Sequence, residues 1–163
     1  MSIVTSRGYT MIGLEKPIHE VNIGHALRAA GCFGANMVVI SKTRYTETIT
    51  DTQKSYKHVP LLEVDNLQDV RPYDCRLVGV ELVDYAITLD EYIHPERAYY
   101  LFGPEESSLD DKTLSLCDDI VQIPSKYCLN LGACVNVVLY DRIAKQLSND
   151  KHTKNRKEIF ALQ

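Results

Sequence analysis

No stretch of this chain is apolar for long enough to span a bilayer. Its opening residues, MSIVTSRGYT, lack the charged-then-apolar pattern of a secretory signal. A cytoplasmic protein with no membrane partner is expected. The five cysteines, Cys32, Cys75, Cys117, Cys128 and Cys134, are odd in number and contain no CxxC pair. That argues against a disulfide framework or a zinc ribbon, and most of the thiols read as small buried hydrophobes. GxGxxG and GxxxxGK[ST] are both missing, which leaves the dinucleotide and P-loop modes of phosphate binding weakly supported. GxSxG is missing too. The five histidines, His19, His25, His58, His94 and His152, fit neither HExxH nor any other metal spacing. No metal is expected, and each histidine reads as an ordinary surface or core residue. His25, beside Gly24, alone stands where it could line a site. Repeats, low-complexity stretches and interdomain linkers are absent as well, and 163 residues suit one domain with a proper core.

What is present is unevenly charged. The formal net charge is -4, but residues 1–60 carry +3, residues 61–121 carry -11 and residues 122–163 carry +4. A polyanion would be repelled by the middle and attracted to the ends. An acidic protein still binds nucleic acid when its basic groups converge on one face.

Apolar runs alternate with helical patterns. Strands are expected at Gly8 to Leu14, Asn36 to Ile40, Leu61 to Val64, Arg76 to Leu82, Ala98 to Phe102 and Asp119 to Ile123, the last stopped by Pro124. A helix is expected at Ile23 to Ala30, with Asn22 as N-cap and Gly31 as stop. Others are expected at Ser108 to Leu116, with Asp110 and Asp111 in the first turn, and at Asn130 to Gln146. Ser41 to His58 reads as a polar loop with a helical turn near Asp51 to Lys57, and Asn66 to Val70 as a further turn. Residues 1–147 then form the domain, and 148–163 a mobile basic tail. The alternation predicts an α/β fold, mostly a parallel sheet with helices on both faces. Ligands of such sheets sit at the carboxyl ends of the strands, here after Gly103 and after Ile123.

Three blocks stand out: Val21 to Ile40, Tyr99 to Pro124 and Tyr127 to Arg142. Each sets glycine or a small polar residue at the edge of an apolar run, where backbone is open to a ligand. The Pro104-Glu105-Glu106 turn, beside the bare backbone of Leu101-Phe102-Gly103, suits a purine or a ribose. Asn22, Gly24 and Arg28 read as one helix side facing a phosphate.

In order, these blocks resemble the SPOUT superfamily, in its TrmH/SpoU branch of RNA ribose 2′-O-methyltransferases. Asn22, Gly24 and Arg28 resemble the motif N-x-G-x-x-x-R. Phe102, Gly103, Glu105 and Leu109 resemble F-G-x-E-x-x-x-L. Asp119 to Pro124 resembles the strand motif I-x-I-P. Leu129, Asn130, Leu139, Tyr140 and Asp141 resemble the third motif, S-L-N-x-S-x-A-x-x-x-x-L-Y-E. Cys128 and Gly132 stand where that motif has serines, and Ser108 replaces a glycine.

The resemblance implies a single-domain SPOUT α/β knot, with a C-terminal trefoil knot that holds S-adenosylmethionine, and a homodimer. It implies cofactor contacts at Val80, Glu81, Gly103, Ile123, Cys128 and Leu129. Catalytic roles fall on Arg28, Asn130 and Glu105, and substrate binding on Asn22. The substrate would be RNA, tRNA or rRNA. Among the basic residues, Arg7, Lys42, Arg44, Lys54 and Lys57 are expected at its backbone. The family mechanism makes the motif-one arginine the base. A guanidinium stays protonated, so holding a phosphate and stabilising an alkoxide is the easier role. The largely apolar last helix offers a surface for dimerisation on its Val135, Val138, Leu139 face, the alternative being that this face is simply core. Two other classes remain open: a non-catalytic RNA-binding protein on a methyltransferase scaffold, and a base-directed SPOUT methyltransferase.

Overall fold

The computed structural model describes residues 8–41 and 54–161, with side chains through residue 149. Seven strands form one sheet: Tyr9–Leu14 (β1), Met37–Ser41 (β2), Leu61–Val64 (β3), Arg76–Val80 (β4), Ile87–Thr88 (β5), Arg97–Phe102 (β6) and Asp119–Gln122 (β7). Their order is β3-β2-β1-β6-β4-β7-β5, and every pairing is parallel. The helices are Glu20–Phe33 (α1), Asp111–Leu116 (α2) and Leu131–Ala161 (α3).

Parallel strands buried on both faces read as continuous apolar runs, and β6 (RAYYLF) is one. Its alternate residues feed two cores. Tyr100 and Phe102 join Ile12, Val38, Ile40 and the inner faces of α1 and α3. Tyr99 and Leu101 join Met11, Val39, Leu77 and Leu114 of α2. Gly13 makes room for this second layer, because a Cβ there would lie 2.7 Å from Leu101 and 2.8 Å from the Tyr99 ring. The freed space lets the buried Tyr99 hydroxyl donate to the Leu67 carbonyl at 3.1 Å.

All six expected strands are present, with ends within two residues of the expected ones. β5 went unanticipated, since two residues on an edge leave no periodic signal. α1 is longer than expected at both ends. It begins after His19, not Asn22, and Asn22 is buried within its first turn. It ends at Gly34 (φ 71°), the left-handed position that glycine fills without strain. Gly31 lies inside the helix, where a Cβ would meet Ser55 at 3.5 Å. Asn22 and Gly24 are buried while Arg28 is exposed, so the three do not share one side. Two residues along a helix turn it by about 200°.

α3 continues past Gln146 to Ala161, and the expected tail from Ser148 to Lys157 is helical. Of the two readings of the Val135, Val138, Leu139 face of α3, the core one holds and the dimer surface does not lie there: all three are fully buried in the monomer. Arg7, Lys42 and Arg44 lie outside the described residues.

A polar network locks α3 onto the sheet. The Arg142 guanidinium, buried, donates to the carbonyls of Pro95 (2.6 Å) and Glu96 (2.9 Å) and to the Tyr100 hydroxyl (3.3 Å). His94 Nδ1 lies 2.6 Å from that hydroxyl, and its Nε2 lies 2.8 Å from Asp141 Oδ2. Burial lowers the His94 pKa, and this outweighs the opposing pull of Asp141. The ring is therefore neutral at pH 7, taking the Tyr100 O–H at Nδ1 and donating from Nε2. Asp141 keeps its charge partner in Lys145 Nζ at 2.7 Å.

Replacing Arg142 by Leu strands two backbone carbonyls, and should lower unfolding free energy by about 2–4 kcal/mol in urea titrations. His94 adds a pH dependence. Its folded pKa is depressed, so its contribution is whole above the unfolded value of about 6.5 and is lost as pH falls below it. His94→Phe should flatten the stability slope between pH 7 and pH 5, measured by urea midpoint.

Candidate active site

β6, β4 and β7 are neighbours in the sheet, and their carboxyl ends open into a cavity of about 360 Å³. Three loops and α3 build it. Val80 ends β4 and Glu81 and Leu82 follow it, while Phe102 ends β6 and Gly103 to Ser108 follow it. Ile123, Ser125, Cys128 and Leu129 follow β7, and Leu131 and Cys134 come from the first turn of α3. Ligands of open parallel sheets bind at such strand ends, and the volume suits a nucleoside-sized molecule.

The six residues to which sequence assigned cofactor contacts, Val80, Glu81, Gly103, Ile123, Cys128 and Leu129, all line this cavity, and so does Glu105. Leu82, Ser107, Ser125, Leu131 and Cys134 line it without having been singled out. The strand-end rule points to Leu82 and Ser125, and Cys134 lies one helical turn past Asn130. Among the described lining residues there are three carboxylates, Glu81, Glu105 and Glu106, and no cation. Such a cavity disfavours a phosphate and favours a ligand with a positive centre. The Cys134 thiol is pushed up to about 11, chiefly by burial, and stays protonated at neutral pH.

Two of the carboxylates hold backbone in place. Glu81 Oε2 accepts from the Leu109 N–H at 2.8 Å, which draws the β6–α2 loop over the cavity. Gly103 lies under that loop, where a Cβ would stand 2.9 Å from Leu109 N. Bulk at this position would therefore strike the protein's own backbone before any ligand.

Glu105 caps α1 from a distance. Its Oε2 accepts from the Ile18 N–H (2.9 Å), and its Oε1 from the His19 N–H (3.2 Å) and from Asn22 Nδ2 (2.6 Å). His19, the N-cap residue, makes no side-chain cap of its own. Burial pushes the Glu105 carboxyl up, but the bonds from Asn22, Ile18 and His19 outweigh it and hold the pKa below the ordinary carboxylate range. Asn22 Oδ1 in turn accepts from Asn130 Nδ2 at 2.9 Å, and Asn130 Oδ1 accepts from the Ala133 N–H at 3.3 Å to cap α3. Glu105, Asn22 and Asn130 thus form one connected group from three separate blocks.

The remaining expected residues do not join the cavity. Arg28 lies exposed on α1, on the helix that Glu105 caps. Lys54 is exposed at the start of the turn Ser55–Lys57, which packs near Gly31 in the second half of α1. Among the described residues no group of acids, cysteines and histidines could hold a metal ion, and no helix is long and apolar enough to cross a membrane.

Residues 9–140 match the profile of the SpoU rRNA Methylase family. The chain is 23% identical over 150 residues to a 23S rRNA (guanosine-2′-O-)-methyltransferase, RlmB, of Acinetobacter baylyi. That alignment covers 84% of this chain and 60% of the relative, so the chain spans about three-fifths of the relative's length. Its fold is similar to the TrmH/SpoU tRNA modifying enzyme of A. aeolicus, with a TM-score of 0.79 at 16% identity, covering 93% and 82% of the two chains. It is similar also to the SpoU methyltransferase AviRb of Streptomyces viridochromogenes, solved in complex with AdoMet. There the TM-score is 0.76 at 20% identity, covering 90% and 64%.

Glu105→Gln keeps the shape of the side chain but sets an amide NH₂ where an acceptor stood. At pH 7 it should cost about 1–3 kcal/mol in urea unfolding. The wild-type carboxylate has a depressed folded pKa, so its contribution is present above the unfolded value of about 4.3 and is lost as pH falls through the folded one. The gap between the two proteins should therefore narrow on acidification.

Proposed function

This chain belongs to the SpoU rRNA Methylase family, and on that premise we propose that it transfers a methyl group from S-adenosylmethionine to a ribose 2′-hydroxyl of RNA. One observation carries the reading. A cavity with three carboxylates and no cation among its described lining residues is tied by Glu105, Asn22 and Asn130 to the helix that bears Arg28. A cationic donor and an anionic acceptor need opposite environments side by side, and this arrangement supplies both.

The residues fit the cofactor. Val80, Phe102, Ile123 and Leu131 give apolar walls for an adenine, and the loop backbones at Gly103 and Leu129 give peptide groups for its edge. Glu106 is exposed at the cavity, where its charge attracts a sulfonium. When bound, the cofactor supplies an electrophilic methyl group. Asn22 acts as a positioning residue, since both ends of its amide are engaged within the protein. Arg28 and Asn130, whose amide is also engaged at both ends but which is exposed where Asn22 is buried, face the acceptor. Arg28 holds the phosphate beside the ribose and stabilises the oxygen as it gains negative charge, for which a planar, permanently charged fork is suited.

The RNA is rRNA or tRNA, the substrates of the similar proteins. Lys54 and Lys57, both exposed, extend the basic surface toward its backbone. The reading includes a homodimer through the outward side of α3, where Val137 and Tyr140 are exposed. It also includes a trefoil path for the C-terminal segment. In support, β7 enters the sheet between β4 and β5, and α3 then returns to α1.

The test joins calorimetry with S-adenosylmethionine to tritium transfer into total RNA from cells lacking the gene. Binding is expected, together with label in 2′-O-methylated nucleosides. A folded protein that binds no S-adenosylmethionine would refute the reading. Arg28→Ala should keep cofactor affinity and lose transfer by about 10²-fold or more, with Arg28→Lys recovering little of it. Turnover near wild type in Arg28→Ala would make this residue an ordinary surface cation.

A further inference from the structure

His25 lies on the second turn of α1, exposed, three residues before Arg28. It packs against the start of α3 at Gly132. A Cβ on Gly132 would come within 2.7 Å of His25 Cβ, 3.1 Å of its Nδ1 and 3.3 Å of Asn130 Oδ1. The imidazole and the Asn130 amide therefore crowd the same point of α3, and glycine is what admits both. Asn130 sits between Leu129 and Leu131, which line the cavity, so the ring stands beside the cavity rim. Residues three apart on a helix are neighbours, which sets Arg28 next to His25 along α1, one turn further from the start of the helix.

We propose that the His25 imidazole is the proton acceptor for the ribose 2′-hydroxyl, an inference that rests on the RNA 2′-O-methylation reading above. Five other groups near the cavity are poorly suited to that task. A guanidinium does not give up its proton. The Glu105 carboxylate is already engaged by Ile18, His19 and Asn22, and those bonds make it a weaker base. Glu81 is engaged by the N–H groups of Leu82 and Leu109. The Cys134 thiol stays protonated and donates to the Leu129 carbonyl at 3.6 Å. The Asn130 amide has no basic atom. Imidazole is the side chain whose ordinary charge change falls between pH 5 and pH 8, which suits a general base at neutral pH.

The surroundings of the ring are sparsely charged. The facing turns of α3, Leu131 to Val138, hold no ionisable group except Cys134. On α1 the charged residues are Glu20 and Arg28, and across the cavity rim stands Glu105. In the step itself, a ring nitrogen of His25 takes the hydroxyl proton. The oxygen's electron pair forms the bond to the methyl carbon as the carbon–sulfur bond breaks, and the pair of that bond stays on sulfur. The imidazolium then returns its proton to water.

The experiment uses the full chain, S-adenosylmethionine, and total RNA from cells lacking the gene. Single-turnover transfer is measured from pH 5.5 to pH 8.5 for wild type, His25→Asn and His25→Ala. S-adenosylhomocysteine affinity is measured in parallel by calorimetry. Both variants should bind S-adenosylhomocysteine as wild type does and lose about 10²-fold or more in rate at pH 7.5. Any rise of the wild-type rate with pH over this range should vanish in His25→Asn. Added imidazole should recover part of the rate of His25→Ala, which a structural role would not allow. Apart from activity, the His25 ring resonance in NMR should move when RNA is added to the S-adenosylhomocysteine complex. A His25→Asn rate within about threefold of wild type, with an unchanged pH profile, would overturn the inference alone. So would a ring resonance that RNA leaves unmoved. A wild-type protein that transfers no methyl to any RNA would overturn this inference and the proposed function together.

Discussion

The Glu105 carboxylate is the interaction on which the site depends. Both oxygens are used: one takes the Ile18 N–H, the other the His19 N–H and the Asn22 amide. A helix start leaves backbone donors unsatisfied, and an anion there is favoured by those donors and by the helix dipole. α1 lacks a side-chain cap of its own, so its beginning is completed by the loop that follows β6. The position of the helix and the shape of the cavity loop are then one constraint. If the carboxylate is lost, the helix start loses its partner and the loop loses its anchor.

Asn22 carries this constraint onward. Its amide donates to Glu105 and its oxygen accepts from Asn130, which caps α3 through Ala133. Two helix starts are thereby fixed relative to one cavity by neutral and charged hydrogen bonds in a half-buried setting, where such bonds are stronger than in water. The far side of α3 is held separately by Arg142, Tyr100 and His94. With both ends of its packed segment pinned, α3 presents Leu131 and Cys134 to the cavity as fixed walls.

Glycine at position 132 has a physical explanation in this frame. Of the two positions, 128 and 132, where the motif it resembles has serine, this is the one pressed against His25, with no room for a Cβ unless the histidine moves. The absence of a side chain at 132 and the presence of an imidazole at 25 are thus one local arrangement, shared between α1 and α3. Cys128 differs, since it is exposed at the cavity and nothing in the structure dictates a thiol there.

The sequence by itself determined the alternation of apolar runs and helical segments, and with it a parallel sheet covered on both faces. Those signals are local, carried by periods of two and of 3.6 residues. It also determined which strand ends expose backbone, because Gly103 and Pro124 mark them directly. The tertiary structure decided what those residues face. Val135, Val138 and Leu139 form an apolar stripe in sequence whether a partner or the sheet covers them, and packing on the sheet buried them. Asn22 resembled a helix cap, yet its partner is a carboxylate 83 residues away. Hydrogen-bond partners at such separation are chosen by strand order. That order, with β6 beside β1 and β4 beside β6, is fixed by how the whole core closes, and no local window of sequence contains it.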